Sequence, residues 1–589
     1  MMHDGSFSDF RAHGFGSRSR DHGLQPASKL DVTAWFSEVL RVTTEVAVSQ
    51  SSLAPRLRAL IAKHFRTFWL AGLPDQLAAV CSDLTRQSPW LEGWIAAQKV
   101  LRRDGDSMSA AVRGQLDLLI QQIKPKNIGE TARAYVFSKP WGSLDIVDDD
   151  WHIAVTGAEV RDAHVTAELR TEELGREMSL SPGAGFGSLL PELMSKQAHR
   201  AMSFGRGLAS STNDIWGLWK MLVSALEALP EQARNFSALL GCLQGAVDRD
   251  RNLTEELLDD AATHPLLRQW LPALQVQVST DERGLVRLEK ALCGDAIPAW
   301  SFGVLKFGGR SDAIPPARLA AILLALAKLP GGVPVTVEIL SMRLSSDKRE
   351  KKTHPECLLH CARSLLHLAE FGDIDSMFDY CLSELVNACL IQPEAAADVT
   401  ALCIKFFPPG PGYSLNWLAF DQLLTALFLT RPFECLDALF GEGVGTRTEH
   451  IMMMRPFRKG VFNVLPQATI LEWAQRDAKC RFPVVALGLR PLKAEAEASP
   501  PEWSDTALAV LAAAPDRLAV LEAFASQFVP NSWSGSRAAV IENHRALLTR
   551  FIQGSDERES VWARDEDSRL LKIAKHERAR ERQQHQGFE

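Results

Sequence analysis

The sequence predicts an all-α protein, a degenerate helical-repeat solenoid with a small irregular or β-prone insert near residues 135–155. Apolar residues recur with the 3.6-residue period of a helix along most of the chain. Breakers such as Pro330-Gly331-Gly332 separate these helical patterns every few tens of residues, and strand-like alternation is rare. Helix pairs that alternate with short breaks are typical of stacked repeats, although the sequence shows no fixed period.

Length and composition indicate a folded protein. The 589 residues amount to several domains or one elongated repeat structure, and 46% hydrophobic residues are enough for a core. The 65 basic and 72 acidic residues give a net charge of −7, so bulk charge does not attract the chain to nucleic acid or anionic membranes, although a local patch could. The ten cysteines are sparse and lie mostly among apolar residues, as in reduced cytosolic proteins.

The sequence argues against export and membrane insertion. The first residues lack the apolar core of a signal peptide. The longest apolar run, residues 319–327, is about half as long as a bilayer span requires. A cytoplasmic location is therefore predicted.

Composition divides the chain into four parts. Residues 1–30 are rich in Gly, Ser, Arg and His without periodicity, which predicts a disordered leader. Residues 31–180 then form an N-terminal helical domain, residues 181–407 central helical repeats, and residues 408–589 C-terminal helical repeats. We describe the predicted architecture as HEAT-like.

The last part ends in a helical hairpin, residues 504–589, that cannot bury its own apolar faces and so predicts the capping unit of a stacked array. A proline stops its first helical segment, and a serine can cap the next helix because its hydroxyl satisfies an otherwise unpaired amide. The residues that predict this turn, cap and closing helix are Pro530, Trp533, Gly535, Ser536 and Trp562. The closing helix runs into the charged segment 575–582, which must be largely solvated.

The insert contains a possible cation site. Residues 135–137 and 151–155 are β-prone and flank a loop rich in Pro, Gly and Asp. The crowded carboxylates in this loop are Asp145, Asp148, Asp149 and Asp150. A calcium loop would also have a central glycine and a distal glutamate, and both are missing here, so a solvated acidic loop is favoured.

Two groups of residues are weak candidates for a metal site and for an acid–base catalytic site. His354, Cys357 and Cys361 have spacings of three and four, so they could face one metal ion from a helix. Cys361 also falls on an apolar stripe, which favours a packed thiol. Glu449 and His450 could act as acid and base, but adjacent helical residues point in different directions and no nucleophile pairs with them. The sequence contains no complete catalytic motif.

Basic clusters are candidates for binding nucleic acid or another anion. They are Lys348, Arg349, Lys351 and Lys352 in one loop, and Arg455, Arg458 and Lys459 further along. The basic end of the chain is a third basic cluster. Asp347 and Glu350 are interleaved with the first cluster, which favours a solvated loop instead.

Several stretches resemble the C-terminal helical-repeat region of large bacterial P-loop NTPases associated with antiphage defence, the STAND-like class. They are "SFGRGLASSTNDIWGLWKML", "NFSALLGCLQGAVDRD", "ILEWAQRDAKCRFPVVALGL", "ALAVLAAAPDRLAVLEAFASQFVPNSWSGSRAAVIENHRALL" and "VWARDEDSRLLKIAKHERARERQQHQGFE". The likeness extends over most of the chain from about Trp90 onward. Its distinctive parts are the turn from Pro530 to Ser536 and the closing helix with Trp562.

The resemblance implies an α-solenoid that senses a partner, while a separate NTPase domain oligomerises and an effector domain acts. This sequence contains neither a phosphate loop nor an acidic Walker-type strand, so nucleotide hydrolysis is not carried over and no cofactor is predicted. Either the chain is a stand-alone recognition subunit or it is a fragment of a longer polypeptide.

The predicted function is a non-enzymatic recognition scaffold, a sensor or accessory subunit of a bacterial antiphage defence system. Its expected partner is a protein, such as a separately encoded ATPase or effector or a phage protein. A nucleic-acid-binding component is the first alternative. A hydrolase with a site at Glu449 and His450 is the second.

Overall fold

The computed structural model describes residues 29–138, 163–181, 185–293, 297–370, 376–406, 420–441, 461–493, 501–530, 533 and 535–586. These residues form twenty-nine α-helices joined by short turns and 3-10 helices, and within them there is no strand, only two isolated β-bridges. The predicted all-α helical-repeat fold is confirmed. The chain divides into two compact units, residues 1–279 and residues 280–589.

The first unit contains fourteen described helices. They are α1 (Lys29–Ala47), α2 (Ala54–Lys63), α3 (Phe65–Leu70), α4 (Pro74–Gln87), α5 (Leu91–Asp104), α6 (Ala110–Ile123), α7 (Ile128–Phe137), α8 (Ala163–Leu180), α9 (Phe186–Leu193), α10 (Ala201–Ser211), α11 (Ile215–Glu227), α12 (Ser237–Val247), α13 (Arg251–Thr263) and α14 (Leu271–Gln275). One layer of this unit consists of helices packed side by side, namely α5, α7, α8, α10, α12 and α14. In the other layer α4 packs against α6, and α9 packs against α11. Packing between second neighbours in the chain is the arrangement of helical repeats.

The second unit repeats this arrangement. Its helices are α15 (Glu282–Leu292), α16 (Pro316–Leu326), α17 (Gly332–Arg349), α18 (Glu356–Leu368), α19 (Ser376–Cys389), α20 (Ala396–Phe406), α21 (Asp421–Thr430), α22 (Pro432–Phe440), α23 (Gln467–Gln475), α24 (Ala478–Gly488), α25 (Asp505–Ala513), α26 (Arg517–Ala525), α27 (Arg537–Ala546), α28 (Thr549–Ile552) and α29 (Glu557–Gln586). Helices α16, α18, α20, α22, α23 and α25 form one layer. The other layer begins with the 3-10 helix Ala299–Lys306, followed by α17, α19 and α21, each packed against the one before. In the same layer α24 packs against α26, and α26 packs against α29.

A recurring hydrogen bond reveals the repeat length. In each case a long polar side chain donates to a main-chain carbonyl at the end of a helix one repeat earlier, where carbonyls lack partners within the helix. The pairs are Arg249 to Ala209, 40 residues apart, Lys405 to Ala369, 36 apart, Arg431 to Leu390, 41 apart, and Gln527 to Ala486, 41 apart. These separations agree with the length of roughly 40 residues that is usual for HEAT-type repeats.

In the first unit, glycines let three helices approach closely. Gly175 on α8, Gly205 on α10 and Gly241 on α12 lie against the main chain of a neighbouring helix. A Cβ atom at Gly241 would lie 1.8 Å from the carbonyl oxygen of Met202, and one at Gly205 would lie 2.3 Å from that of Ala238. Any side chain there would force the helices apart.

One local prediction is wrong. Residues 135–137, expected to be β-prone, form the last turn of α7. Asn127 caps the start of this helix, accepting a hydrogen bond from the Glu130 amide at 3.0 Å, and Tyr135 is buried. At the other end, Arg200 donates Nη1 to the Tyr135 carbonyl at 3.0 Å and to the Ser138 carbonyl at 2.8 Å. Tertiary burial and capping therefore override the strand preference of the aromatic and β-branched residues.

Other predicted segments lie outside the described residues. They are most of the leader, residues 1–28, and the remainder of the insert, residues 139–155, which falls within the undescribed segment 139–162. The predicted boundary near residue 408 also falls within such a segment, residues 407–419. In the capping hairpin, the first apolar pattern is split into α25 and α26 on either side of Pro515, as its sequence indicates.

Candidate functional site

Three groups of predicted site residues lie outside the part of the chain that the structure describes. They are the acid and base pair Glu449 and His450, the basic cluster Arg455, Arg458 and Lys459, and the carboxylates Asp145, Asp148, Asp149 and Asp150. These assignments stay predictions.

The predicted metal ligands do not converge. His354 precedes α18, and its Nδ1 atom lies 4.0 Å from a carboxylate oxygen of Asp347. Cys361 is fully buried, and its Sγ atom lies 3.9 Å from the carbonyl oxygen of Ala320. Burial raises the pKa of the Cys361 thiol to about 12, so it is protonated at neutral pH and is a poor metal ligand. Among the described residues, no group of three or more His, Cys, Asp or Glu side chains could hold a metal ion.

The predicted basic loop is exposed at the end of α17. Lys348, Arg349 and Lys351 face solvent, whereas Lys352 forms an ion pair with Glu350 at 2.5 Å. The hydrogen bond that Lys352 donates in this ion pair lowers the pKa of the Glu350 carboxyl. Three cations of the loop therefore remain available to an anionic partner.

Asp347 does not weaken the basic loop in the way that its position in the sequence suggests. Its carboxylate is buried and accepts a hydrogen bond from Arg343 Nε at 3.2 Å. Arg343 also donates to the Ser311 carbonyl at 2.7 Å, and the Lys352 amide donates to the Asp347 carbonyl at 2.8 Å. Asp347 thus neutralises Arg343 and anchors the loop from below.

An open cleft lies at the predicted capping hairpin. Ser536 caps α27 as predicted, with its Oγ atom accepting a hydrogen bond from the Ala539 amide at 3.1 Å. The same hydroxyl donates to Glu581 of α29 at 2.8 Å, and the Ala538 amide donates to the other Glu581 oxygen at 3.2 Å. These bonds, the one from Ser536 foremost, lower the pKa of the Glu581 carboxyl. They join the start of α27 to the end of α29.

Arg537 makes a second connection between the same elements. Its Nη1 atom lies 2.8 Å from Glu577 of α29, and its Nε atom donates to the Pro530 carbonyl at 3.2 Å. The guanidinium carbon lies 4.7 Å from the centre of the Trp533 ring, a cation–π contact. The indole itself is 47% exposed. Arg537 therefore holds an exposed aromatic ring in a fixed position.

These residues surround an open cleft of about 730 Å³, which we call the C-terminal cleft. Its lining includes Trp533 and four arginines, Arg537, Arg578, Arg580 and Arg582. Both of its carboxylates are engaged, Glu577 by Arg537 and Glu581 by the start of α27. Arg578 pairs with Glu542, and within the described chain neither Arg580 nor Arg582 pairs with a carboxylate. The cleft thus presents an excess of positive charge beside an exposed indole.

The other two structural residues of this prediction have simple roles. Gly535 has a φ angle of +74°, in the left-handed region that favours glycine. Trp562 is half-buried on α29. The sequence interpretation treated the segment 575–582 as solvated and missed the inward contacts of Glu577 and Glu581. The local pattern gives no signal for these contacts, because Arg537 lies 40 residues before Glu577, a separation within the range of 36 to 41 seen for the other contacts between repeats.

The chain matches no protein-family model, no curated protein and no solved structure in the comparisons made. Among the described helices, none combines the length and apolar composition that a membrane crossing requires.

Proposed function

We propose that this chain is a non-enzymatic helical-repeat scaffold, a sensor or accessory subunit of a bacterial antiphage defence system that binds a protein partner. The observation that carries this proposal is the two-layer packing of second-neighbour helices in each unit, tied at intervals of 36 to 41 residues. Repeat proteins of this kind act through extended surfaces on which many helices contribute side chains. The defence context comes from the resemblance of the helical segments to STAND-like proteins.

A cytoplasmic location belongs to the same proposal. All ten cysteines are free thiols, and seven of them are buried. An oxidising compartment would favour disulfides in an extracellular protein, whereas the cytosol keeps thiols reduced.

Exposed aromatic and methionine side chains on the second unit support a protein contact there. Phe307, Met342 and Tyr380 are 59%, 37% and 38% exposed, and they lie on or beside three neighbouring elements of one layer. Clustered exposed aromatic and methionine side chains are typical of protein interfaces. We therefore place the partner contact on this face.

Two side-chain contacts bring the elements that carry these residues side by side. Lys306, beside Phe307, pairs with Glu338, which is one helical turn before Met342. Ser345 lies 3.5 Å from Glu384, which is one helical turn after Tyr380. Residues one turn apart share a face of a helix, so Met342 and Tyr380 line neighbouring positions.

Site-specific photocrosslinking in the native host tests the proposal. We would place p-benzoylphenylalanine at position 342 or 380 of the full chain, and at His360 as a control, because His360 is exposed on a helix of the other layer. We expect one adduct of defined mass from positions 342 and 380, containing an ATPase, an effector or a phage protein, and none from position 360. Adducts that are absent before and during infection, or equal at all three positions, would refute a partner site on this face.

Nucleic-acid binding is the second candidate function, and the exposed cations Lys348, Arg349 and Lys351 favour it. Protein cations bind phosphates with an affinity that falls steeply with salt. Titration of the protein with duplex DNA at several salt concentrations tests this candidate, which is eliminated for duplexes if no binding occurs at low salt.

A further inference from the structure

We propose that the C-terminal cleft binds single-stranded nucleic acid, with an unpaired base stacked on Trp533 and the strand's phosphates held by Arg580 and Arg582. This inference deepens the second candidate function, because it assigns one site and one strand form to nucleic-acid binding. It is independent of the protein-binding face at Met342 and Tyr380.

The first argument is the direction of the charges around the cleft. On the last turns of α29, both acidic side chains face the start of α27, where Glu577 meets Arg537 and Glu581 meets Ser536. The cations of the same turns remain at the surface, and Arg580 and Arg582 are exposed. A chain with a net charge of −7 thus concentrates positive charge at one end of one helix. Such a local field attracts a polyanion.

The cations also extend beyond the cleft along one side of α29. Lys572, Lys575, Arg578 and Arg582 follow one another at spacings of three, three and four residues, so they lie on one helical face. The row is about 15 Å long, given a rise of about 1.5 Å per residue. Lys572 and Lys575 are exposed, which gives a strand leaving the cleft further cationic contacts.

The second argument is the indole. Trp533 contacts the Arg537 guanidinium and is still 47% exposed. Arg537 is fixed by Glu577 and by the Pro530 carbonyl, so the ring is positioned before any ligand arrives. A base that stacks on a ring already in place loses less binding energy to ordering. Exposed aromatic rings beside cations are the usual platform for unpaired bases.

This combination distinguishes the ligand. Cations at the end of a helix can simply complement its dipole, but that role does not involve an exposed indole. A polyacid such as poly-glutamate would satisfy the arginines, but it has no flat ring to place on Trp533. In a duplex the base faces are covered by their neighbours, so a single strand, unlike a duplex or a polyacid, can use both the arginines and the indole.

Fluorescence anisotropy of the full chain with labelled oligo(dT), about 20 nucleotides long, tests the inference. The informative variants are Trp533→Ala and Arg580→Gln/Arg582→Gln. The matched control is Arg56→Gln/Lys63→Gln, which removes two exposed cations from α2, in the other unit. All altered side chains are exposed, and circular dichroism of each variant checks that the fold is retained.

We expect Trp533→Ala to weaken oligo(dT) binding by roughly 5- to 100-fold, the effect of losing one stacked base. The double arginine variant should lower the slope of log affinity against log salt by about 1.4, or about 0.7 for each lost phosphate contact. The control variant should bind as the original chain does. Duplex DNA and poly-glutamate should compete poorly.

Three outcomes would overturn the inference. Oligo(dT) affinity could be unchanged by Trp533→Ala, poly-glutamate could compete as well as oligo(dT), or duplex could bind as tightly as single strand. The last result would retain nucleic-acid binding as a function while removing the cleft's strand preference. Loss of duplex binding in a separate Lys348→Gln/Lys351→Gln variant would in turn locate that function at the basic loop.

Discussion

Arg431 donates its Nε hydrogen to the main-chain carbonyl oxygen of Leu390, 2.9 Å away, across the end of α19. Its Nη2 atom donates to the Gln392 carbonyl beyond it. Arg249 makes the equivalent contact with Ala209 at the end of α10, at 3.0 Å. A cation at this place both satisfies carbonyls that the helix leaves unpaired and complements the negative end of the helix dipole.

Replacing Arg431 with methionine should therefore destabilise the second unit. The methionine occupies similar space but leaves the carbonyls of Leu390 and Gln392 partly buried without their donor, at a cost of about 1–3 kcal/mol. Urea denaturation followed by circular dichroism measures the change. Arg41→Gln is the control, because Arg41 is exposed and, in the described part of the chain, forms its ion pairs with Glu38 and Glu45 of its own helix, so the midpoint should not move. Equal effects of the two changes would show that the interrepeat contact contributes little.

The close approach of α8 and α10 gives a second expectation. A Cβ atom at Gly207 would lie 1.9 Å from the carbonyl oxygen of Glu172, so Gly207→Ala must separate the two backbones. Overpacking of this kind costs about 1–3 kcal/mol or more. Gly114 on α6 has open space around its Cβ position, and Gly114→Ala should stabilise by about 0.5–1 kcal/mol because alanine favours the helix. Thermal unfolding should shift in opposite directions for the two variants, and shifts of the same sign would contradict the packing.

The sequence predicts the helices well but not the features that join them. Pro515 and Ser536 are local signals, and both act where the sequence places them. The repeat length was not visible, because the side chain that contacts the preceding repeat changes from Arg249 to Lys405 to Gln527. A repeat defined by geometry rather than by residue identity leaves no fixed period in the sequence.

Long-range contacts explain the other differences. Asp347 looks like part of a charged loop, but it pairs with Arg343, whose guanidinium donates to the Ser311 carbonyl 32 residues earlier in the chain. Glu577 and Glu581 look solvated on a helix that is charged all round, until α27 packs against it. In each case a contact with a distant part of the chain decides where the side chain lies.

Thiol reactivity should follow burial. Cys293 and Cys480 are exposed and Cys357 is half-buried, whereas the other seven cysteines are buried. Iodoacetamide at pH 8 should label Cys293 and Cys480 first and leave the buried seven unmodified, because reaction requires an accessible thiolate. Mass spectrometry of digested native protein measures the labelling, and all ten should react in urea. Rapid labelling of Cys242 in the native chain would contradict its burial.

The same burial predicts a loss of stability at alkaline pH. Burial raises the pKa of Cys242 to about 12, compared with about 8.5 for an unfolded thiol. Below the unfolded pKa both states are protonated, so the contribution of Cys242 is constant. Above about pH 9 only the unfolded state releases the proton, so stability falls by about 1.4 kcal/mol per pH unit for this thiol until the folded pKa is reached.

Urea midpoints between pH 8 and pH 10.5 test this alkaline effect when Cys242→Ala and Cys293→Ala are compared with the original chain. The Cys242→Ala variant should lose stability less steeply above about pH 9, although it starts from a slightly lower value. Cys293→Ala should keep the original slope because Cys293 is exposed. Identical slopes for all three proteins would show that Cys242 is not held protonated by the fold.

The end of α29 depends on Ser536, which both caps α27 and donates to Glu581. Ser536→Ala should lower the stability of this junction by about 1 kcal/mol and speed amide exchange in residues 575–586 and at the start of α27.

The same junction should depend on pH, because the pKa of the Glu581 carboxyl is lowered in the fold. The contacts of Glu581 therefore stabilise the folded state at pH values above the unfolded pKa, and this stabilisation is lost as the pH falls through the folded pKa. Exchange in residues 575–586, corrected for intrinsic rates, should therefore rise below about pH 4 in the original chain and much less in the variant. Ser568→Ala, an exposed change on the same helix, should leave both behaviours intact. If amide exchange in residues 575–586 were the same in Ser536→Ala as in Ser568→Ala, Ser536 would not hold α27 and α29 together.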